Sequence, residues 1–204
     1  MKRTAPEPDD ELLLRIQSGD EQAFMALYGH RQAALYRFVL HMSGSQALAE
    51  DVTQEVFLSL LREGCGYDPS RGTLSGYLFG IARKLVLRHL ERERADVGLY
   101  GDSDEVGLPH LAVNDDPLTD LTKREGIENL RREIQALPRR YREVVVLCDL
   151  EEVDYADAAV ALGCPIGTVR SRLHRARGLL LEKLSNERSP RHAMNALKPA
   201  RCLT

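Results

Sequence analysis

The stretch that decides the fold is CPIGTVRSRLHRARG, residues Cys164 to Gly178. It holds Arg170, Arg172, Arg175 and Arg177 and no acidic residue, in a 204-residue chain whose formal net charge is −3. On a helix advancing about 100° per residue, Val169, Leu173, Ala176 and Leu180 share one apolar stripe. Opposite stand Ser171, His174, Arg175 and Gly178, with Arg170 beside them, while Arg172 and Arg177 flank the stripe. An arginine-rich face opposite an apolar seam suits a DNA major groove, because arginine bonds guanine bidentately and its neighbours steady phosphates. A solvated basic helix has the same pattern. The residues just upstream separate the two readings.

Those residues are VDYADAAVALG, Val153 to Gly163. Asp154 is suited to cap a helix, with Asp157 three residues later as a short capping box. Tyr155, Ala158, Ala159 and Leu162 follow at helical spacing, and Gly163 can take the left-handed conformation that ends a helix. Pro165 suits the first turn of the next helix, where its missing N–H costs nothing. A short helix, a glycine turn and a second helix with a polar outer face spell a helix-turn-helix.

Working outward, 43% hydrophobic residues allow buried cores and 29% charged residues give a well-solvated surface. No apolar run approaches the roughly 20 residues of a membrane span, and MKRTAPEPDDE lacks the apolar core of a signal peptide. A cytoplasmic protein without membrane insertion is expected. Cys65, Cys148, Cys164 and Cys202 are scattered, with no spacing typical of zinc, and read as free reduced thiols. Neither a metal site nor a cofactor is expected.

Helical periodicity dominates the rest. A short helix is expected over Asp10 to Gln17. Phe24, Leu27, Tyr28, Leu35, Phe38, Val39 and Met42 mark a long one ending near Gly44. Ser45 can cap a third, where Ala49, Val52, Val56, Phe57, Leu60 and Leu61 repeat towards Gly64. After the loop GCGYDPSRG, a fourth runs from Thr73 through Leu78 and Leu85 into RHLERER. From Ala95 to Asp120 the chain carries seven acidic residues and no lysine or arginine, which reads as a flexible linker. Periodicity returns at Leu121 and leads through LPRRYREVVVL into the helix-turn-helix. The expected fold is all-α: two small helical domains, 10–94 and 121–184, joined by the acidic linker 95–120. Residues 1–9 and 185–204 read as flexible ends.

Three segments in order carry a family likeness. AEDVTQEVFLSLLRE, YDPSRGTLSGYLFGIARKLVLRHLERER, and LPRRYREVVVL with CPIGTVRSRLHRARGLL together resemble the extracytoplasmic-function sigma factors of bacterial RNA polymerase. The resemblance runs from Asp10 to Leu184. It implies a protein that binds core RNA polymerase, reads promoter DNA and answers to an anti-sigma factor. It places core-polymerase binding on Asp51, Gln54, Glu55 and Leu58. It places minus-10 reading and melting on Tyr67, Asp68, Ser70, Arg71, Tyr77, Arg83, Lys84 and Arg88. It places minus-35 reading on Arg170, Ser171, Arg172, His174, Arg175 and Arg177. It also implies that the linker threads the polymerase cleft. Tyr77 and Leu61 stand where tryptophans are common in the family, and Lys84 where an asparagine often follows Ala-Arg. Tyr77 keeps an aromatic ring, and the charge of Lys84 favours a backbone contact over base readout.

The residues bear on these roles independently. Opening a duplex needs groups that replace lost stacking and pairing, and Tyr67, Asp68, Ser70 and Arg71 in a glycine-flanked loop supply them. Arg83, Lys84, Arg88 and Arg92 form a positive strip suited to a phosphate backbone. No phosphate loop, metal cluster or nucleophile motif points to an enzyme. Two non-enzymatic alternatives stand beside the active factor. A sigma-like decoy that sequesters an anti-sigma factor would have no need of the basic reading face, and an ordinary helix-turn-helix repressor would leave the first domain unexplained.

Overall fold

Helix boundaries fall where the chain supplies its own caps. The Asp20 carboxylate accepts from the Gln22 and Ala23 amides at 2.9 and 3.2 Å, and the Ser45 hydroxyl from Leu48 N–H at 3.2 Å. The structure, a computed structural model, describes residues 7–62, 66–96 and 121–188. In it run α1 (Asp9–Gln17), α2 (Glu21–Ser43), α3 (Gln46–Leu61), a single 3₁₀ turn (Pro69–Arg71) and α4 (Leu74–Asp96). From residue 121 onward come α5 (Leu121–Gln135), α6 (Arg139–Val145), α7 (Tyr155–Leu162) and α8 (Ile166–Arg188). No strand occurs among the described residues, so the all-α expectation holds.

Several boundaries differ from the sequence reading. α3 stops at Leu61, and residues 63–65 lie outside the described part. α4 continues through Ala95 and Asp96, two residues into the stretch that composition read as linker; residues 97–120 lie outside the described part. α8 runs four residues past Leu184 to Arg188. Asp154 precedes α7 without its side chain accepting a capping bond, and Asp157 packs against α4 instead of closing a capping box. Gly163 does take the left-handed conformation, φ +61°. Cys148 and Cys164 are free thiols, while Cys65 and Cys202 lie outside the described residues. Burial pushes the Cys148 thiol up to about 11, so it stays protonated at neutral pH.

The first four helices bury Leu12, Leu27, Phe38, Val56, Phe57, Leu74 and Leu78. Phe38 and Phe79 meet edge to face at 5.5 Å and tie α2 to α4. Each such large side chain contributes about 1.5–3 kcal/mol on full burial. In the second unit, the stripe Val169, Leu173, Ala176 and Leu180 is buried as its spacing predicts, where α8 packs on α5, α6 and α7. Between α6 and α7 the chain widens into a π turn, Val146–Leu150, where the Glu151 amide donates to the Val146 carbonyl at 3.0 Å, five residues back.

The two units share one apolar core through α4 and α7. Gly72, Gly76 and Gly80 stand four residues apart and let α7 come close. A Cβ on Gly76 would meet the Asp157 carbonyl oxygen at 3.0 Å, and one on Gly80 the Ala161 Cα at 3.6 Å. At Gly72, φ is +152° and a Cβ would strike Val160 at 2.7 Å, so only glycine fits. Polar ties flank this seam. Arg83 on α4 forms a forked pair with the buried Glu143 on α6 at 3.0 and 3.3 Å. Arg37 on α2 does the same with Glu151 at 2.9 and 2.5 Å.

His41, near the end of α2, is largely buried, and its Nδ1 has no hydrogen-bond partner. Burial, then the charges of Arg131 and Arg37, lower its pKa from 6.5 to about 4. A base with a depressed folded pKa binds its proton more readily in the unfolded chain. Its contribution is therefore present above pH 6.5 and lost as pH falls towards 4. From pH 7 to pH 5 this group alone should remove about 2 kcal/mol of stability. Urea denaturation of His41→Leu beside the wild type should show that much less acid destabilisation in the variant.

Candidate nucleic-acid interface

With its apolar stripe turned inward, α8 has one way to present its polar residues. Arg170, Ser171, His174 and Arg175 are all exposed, and Arg172 is half-buried beside them. Ser171 donates to the Thr168 carbonyl at 3.0 Å, and the Arg170 guanidinium lies 5.8 Å from the Tyr155 ring centroid. Arg177 is exposed but engaged: it grips Asp149 with two hydrogen bonds, 3.1 and 2.5 Å, which raise its already high pKa further. The face therefore offers Arg170 and Arg175 outward and holds Arg177 on its flank.

Two residues outside the sequence-level assignment join this face. Arg140 lies 4.9 Å from the Tyr141 ring centroid, and Arg140, Tyr141, Thr168, Ser171, Arg172 and Arg175 line one shallow groove. Hydrogen bonding from Arg175, then from Arg140, holds the Tyr141 hydroxyl below the usual phenol range. Such a groove of guanidinium and hydroxyl donors suits an anionic backbone. The signal lay in the adjacent pair Arg139-Arg140 at the start of α6, two helices before α8 in sequence.

The loop and α4 residues divide. Tyr67, Asp68, Arg71, Tyr77 and Lys84 line a cleft of about 700 Å³, faced across the gap by Val160, Gly163, Cys164 and Pro165. The Tyr67 and Tyr77 rings meet at 5.6 Å between centroids, their planes tilted by 49°. The Tyr67 hydroxyl donates to Asp10 at 2.6 Å, and desolvation, then that carboxylate, raises its pKa. Asp68 folds the loop on itself, accepting from Ser70 N–H at 2.9 Å and the Ser70 hydroxyl at 2.8 Å. Arg71 and Lys84 are exposed. The expected positive strip is less uniform than its sequence, because Arg83 is paired with Glu143 and Arg88 with Glu55 at 3.4 Å.

On α3, Asp51, Gln54 and Leu58 are exposed, Leu58 at 53%. Glu55 stands with them but spends its carboxylate on Arg88. Leu61, at 52%, extends the apolar part of this surface. No helix among the described residues is long and apolar enough to cross a membrane.

Comparison with known proteins converges on one family. Residues 27–95 match the model for Sigma-70 region 2, and residues 127–180 the model for Sigma-70, region 4. The chain is 34% identical over 196 residues to the ECF RNA polymerase sigma factor SigE of Mycolicibacterium smegmatis, covering 90% of this chain and 72% of that one. It is 27% identical over 177 residues to the ECF RNA polymerase sigma factor SigW of Bacillus subtilis, covering 83% and 93%. Among solved structures, the sigma factor RpoE in complex with the anti-sigma factor NepR from Bartonella quintana matches with a TM-score of 0.65 and 26% identity, over 81% of this chain and 98% of that one.

The Tyr141 geometry is directly measurable. Arg175→Ala should move the Tyr141 phenol back up towards its ordinary range, as followed by pH titration of its ring ζ-carbon resonance. Arg170→Ala, across the helix face, should leave that titration where it was.

Proposed function

Because the chain belongs to the extracytoplasmic-function sigma factors, we propose that it binds core RNA polymerase and directs initiation at promoters read through two separate surfaces. The observation that carries this reading is the outward face of α8, where Arg170, Ser171, His174 and Arg175 stand exposed above a buried stripe. In this reading the face lies in the major groove of the minus-35 box. Arg170 and Arg175 address base edges, Ser171 and His174 tune which bases are preferred, and Arg140, Tyr141 and Arg172 steady phosphates. Arg177, committed to Asp149, shapes the flank of the helix.

The second surface is the cleft of Tyr67, Asp68, Arg71 and Tyr77. The paired tyrosines offer ring surface to an extruded base of the minus-10 strand, Ser70 keeps the loop in shape, and Lys84 follows the backbone. Arg83 and Arg88 join that path once released from Glu143 and Glu55. Asp51, Gln54 and Leu58 on α3, with Glu55, form the core-polymerase contact. The RpoE relative was solved with an anti-sigma factor, and an anti-sigma partner is part of this proposal too. The chain itself carries no catalysis; the polymerase performs the chemistry.

Run-off transcription with core polymerase on a genomic library tests the whole reading. Promoters enriched by this chain and absent with core alone are expected, and none enriched would overturn it. On a promoter so found, Arg175→Ala and Arg170→Ala should each lower minus-35 affinity about ten- to a hundredfold, the range of a lost bidentate base contact. Arg177→Ala should cost much less, measured by the same anisotropy titration. Replacing Asp51, Gln54 and Leu58 together by arginine should abolish co-purification with core polymerase while the helical circular dichroism stays unchanged.

A further inference from the structure

The two flanks of α8 carry different chemistry. On one side Arg140, Tyr141, Thr168, Ser171, Arg172 and Arg175 line a groove that holds no carboxylate. On the other, Arg177 forks onto Asp149 with hydrogen bonds of 3.1 and 2.5 Å and also reaches the Tyr155 hydroxyl. The carboxylate belongs to the wide turn Val146–Leu150, which the Glu151 and Val153 amides close by donating to the Val146 and Leu147 carbonyls at 3.0 and 2.9 Å. It is held in place before any ligand arrives.

We infer that Asp149 is a built-in brake on sequence-blind DNA binding: it occupies Arg177, so that α8 meets a duplex with one phosphate clasp withheld. The inference rests on the proposed promoter reading and concerns how tightly that face holds DNA of any sequence. Position puts Arg177 at the backbone rather than at the bases. It stands seven residues after Arg170. At about 100° and about 1.5 Å per residue, that is within roughly 20° of the same side and about 10 Å further along the axis. Helix-turn-helix proteins reach base edges with the first residues of the second helix. A guanidinium two turns on, at the rim of a groove about 12 Å wide, meets phosphate, which every sequence supplies.

Stability does not account for the pair. Arg177 is 53% exposed and Asp149 27%, and an ion pair that faces water adds little to a fold. α8 is already held by its buried stripe, Val169, Leu173, Ala176 and Leu180. Arg83 makes the contrast, because its partner Glu143 is 2% exposed and would be stranded without it. What the Asp149 carboxylate changes is competition. An arginine bonded to it through two nitrogens must give up both bonds before it can clasp a phosphate in the same bidentate way.

Salt dependence measures this in the full chain. Binding is read by fluorescence anisotropy on two duplexes of equal length, one bearing the minus-35 box of a promoter found by run-off and one with that box scrambled. Each phosphate clasped steepens the fall of log affinity against log salt by about 0.9. Asp149→Asn should therefore steepen the slope by about that much on both duplexes. It should tighten both by a similar factor and leave their ratio within about twofold. In an Arg177→Gln background the same change should leave the slope where it was. Asp149→Ser is the second variant in case the amide disturbs the turn, with circular dichroism reporting the helices. An unchanged slope in both Asp149 variants, with the helices intact, overturns the inference. So does a gain that persists without Arg177, which would be the field of the lost charge alone. A gain confined to the cognate box also overturns it, by making Arg177 a base reader. Each of these leaves the promoter reading standing. Absence of binding to either duplex in every form, together with no run-off product, removes the promoter reading and the inference with it.

Discussion

One guanidinium, carried by α6, holds the ends of two other helices. Arg142, 6% exposed, donates to the Met42 carbonyl at 3.2 Å, to the Leu137 carbonyl at 3.1 Å and to the Gln135 carbonyl. Met42 lies in the last turn of α2, and Gln135 ends α5. Helices leave their last carbonyls without partners and carry partial negative charge there. A cation buried against two such ends therefore satisfies acceptors that would otherwise be stranded, and the acceptors offset the cost of burying it. Because α2 belongs to the first unit and α5 and α6 to the second, this bond network also fixes where they meet. Glu143, the next residue, then faces Arg83 on α4.

From that anchor the rest of the interdomain geometry follows. With α6 held against the end of α2, Glu151 reaches Arg37 and α7 is laid along the glycines of α4. The helix-turn-helix is thus positioned by its first helix, which leaves its second free for a ligand. Division of labour between two helices is the usual logic of the motif, and here the first helix has an intramolecular surface to lie on.

The helices, the buried stripe of α8 and the outward arginines were legible in the sequence, because a period of 3.6 residues states which side of a helix faces inward. What it cannot state is which neighbour that side meets. Gly72, Gly76 and Gly80 were plain in the chain at spacing four, but a glycine repeat becomes a contact only when an opposing helix with small residues is known. Charges were harder still. Arg83, Arg88 and Arg177 read as cations for a phosphate backbone, and each is paired with a carboxylate 28 to 60 residues away in sequence. Arg142 and Glu143 stand in the charged run RRYRE, yet both are buried. Local composition is blind to such pairings because the partners are brought together by the fold. Asp154 shows the opposite error, a residue suited to capping whose side chain does not cap.

The wide turn Val146–Leu150 sets a rotational register for everything after it. A π turn carries one residue more than the α-helical path would need. Each residue of an α-helix turns the chain by about 100°. Shortening this turn by a single residue would swing α7 and α8 about the axis of α6 by roughly that angle. The glycine groove would then meet a different side of α7, and the arginines of α8 would point elsewhere. Insertions and deletions here act as a coarse dial on domain orientation, while the exposed side chains of α8 stay unchanged in sequence.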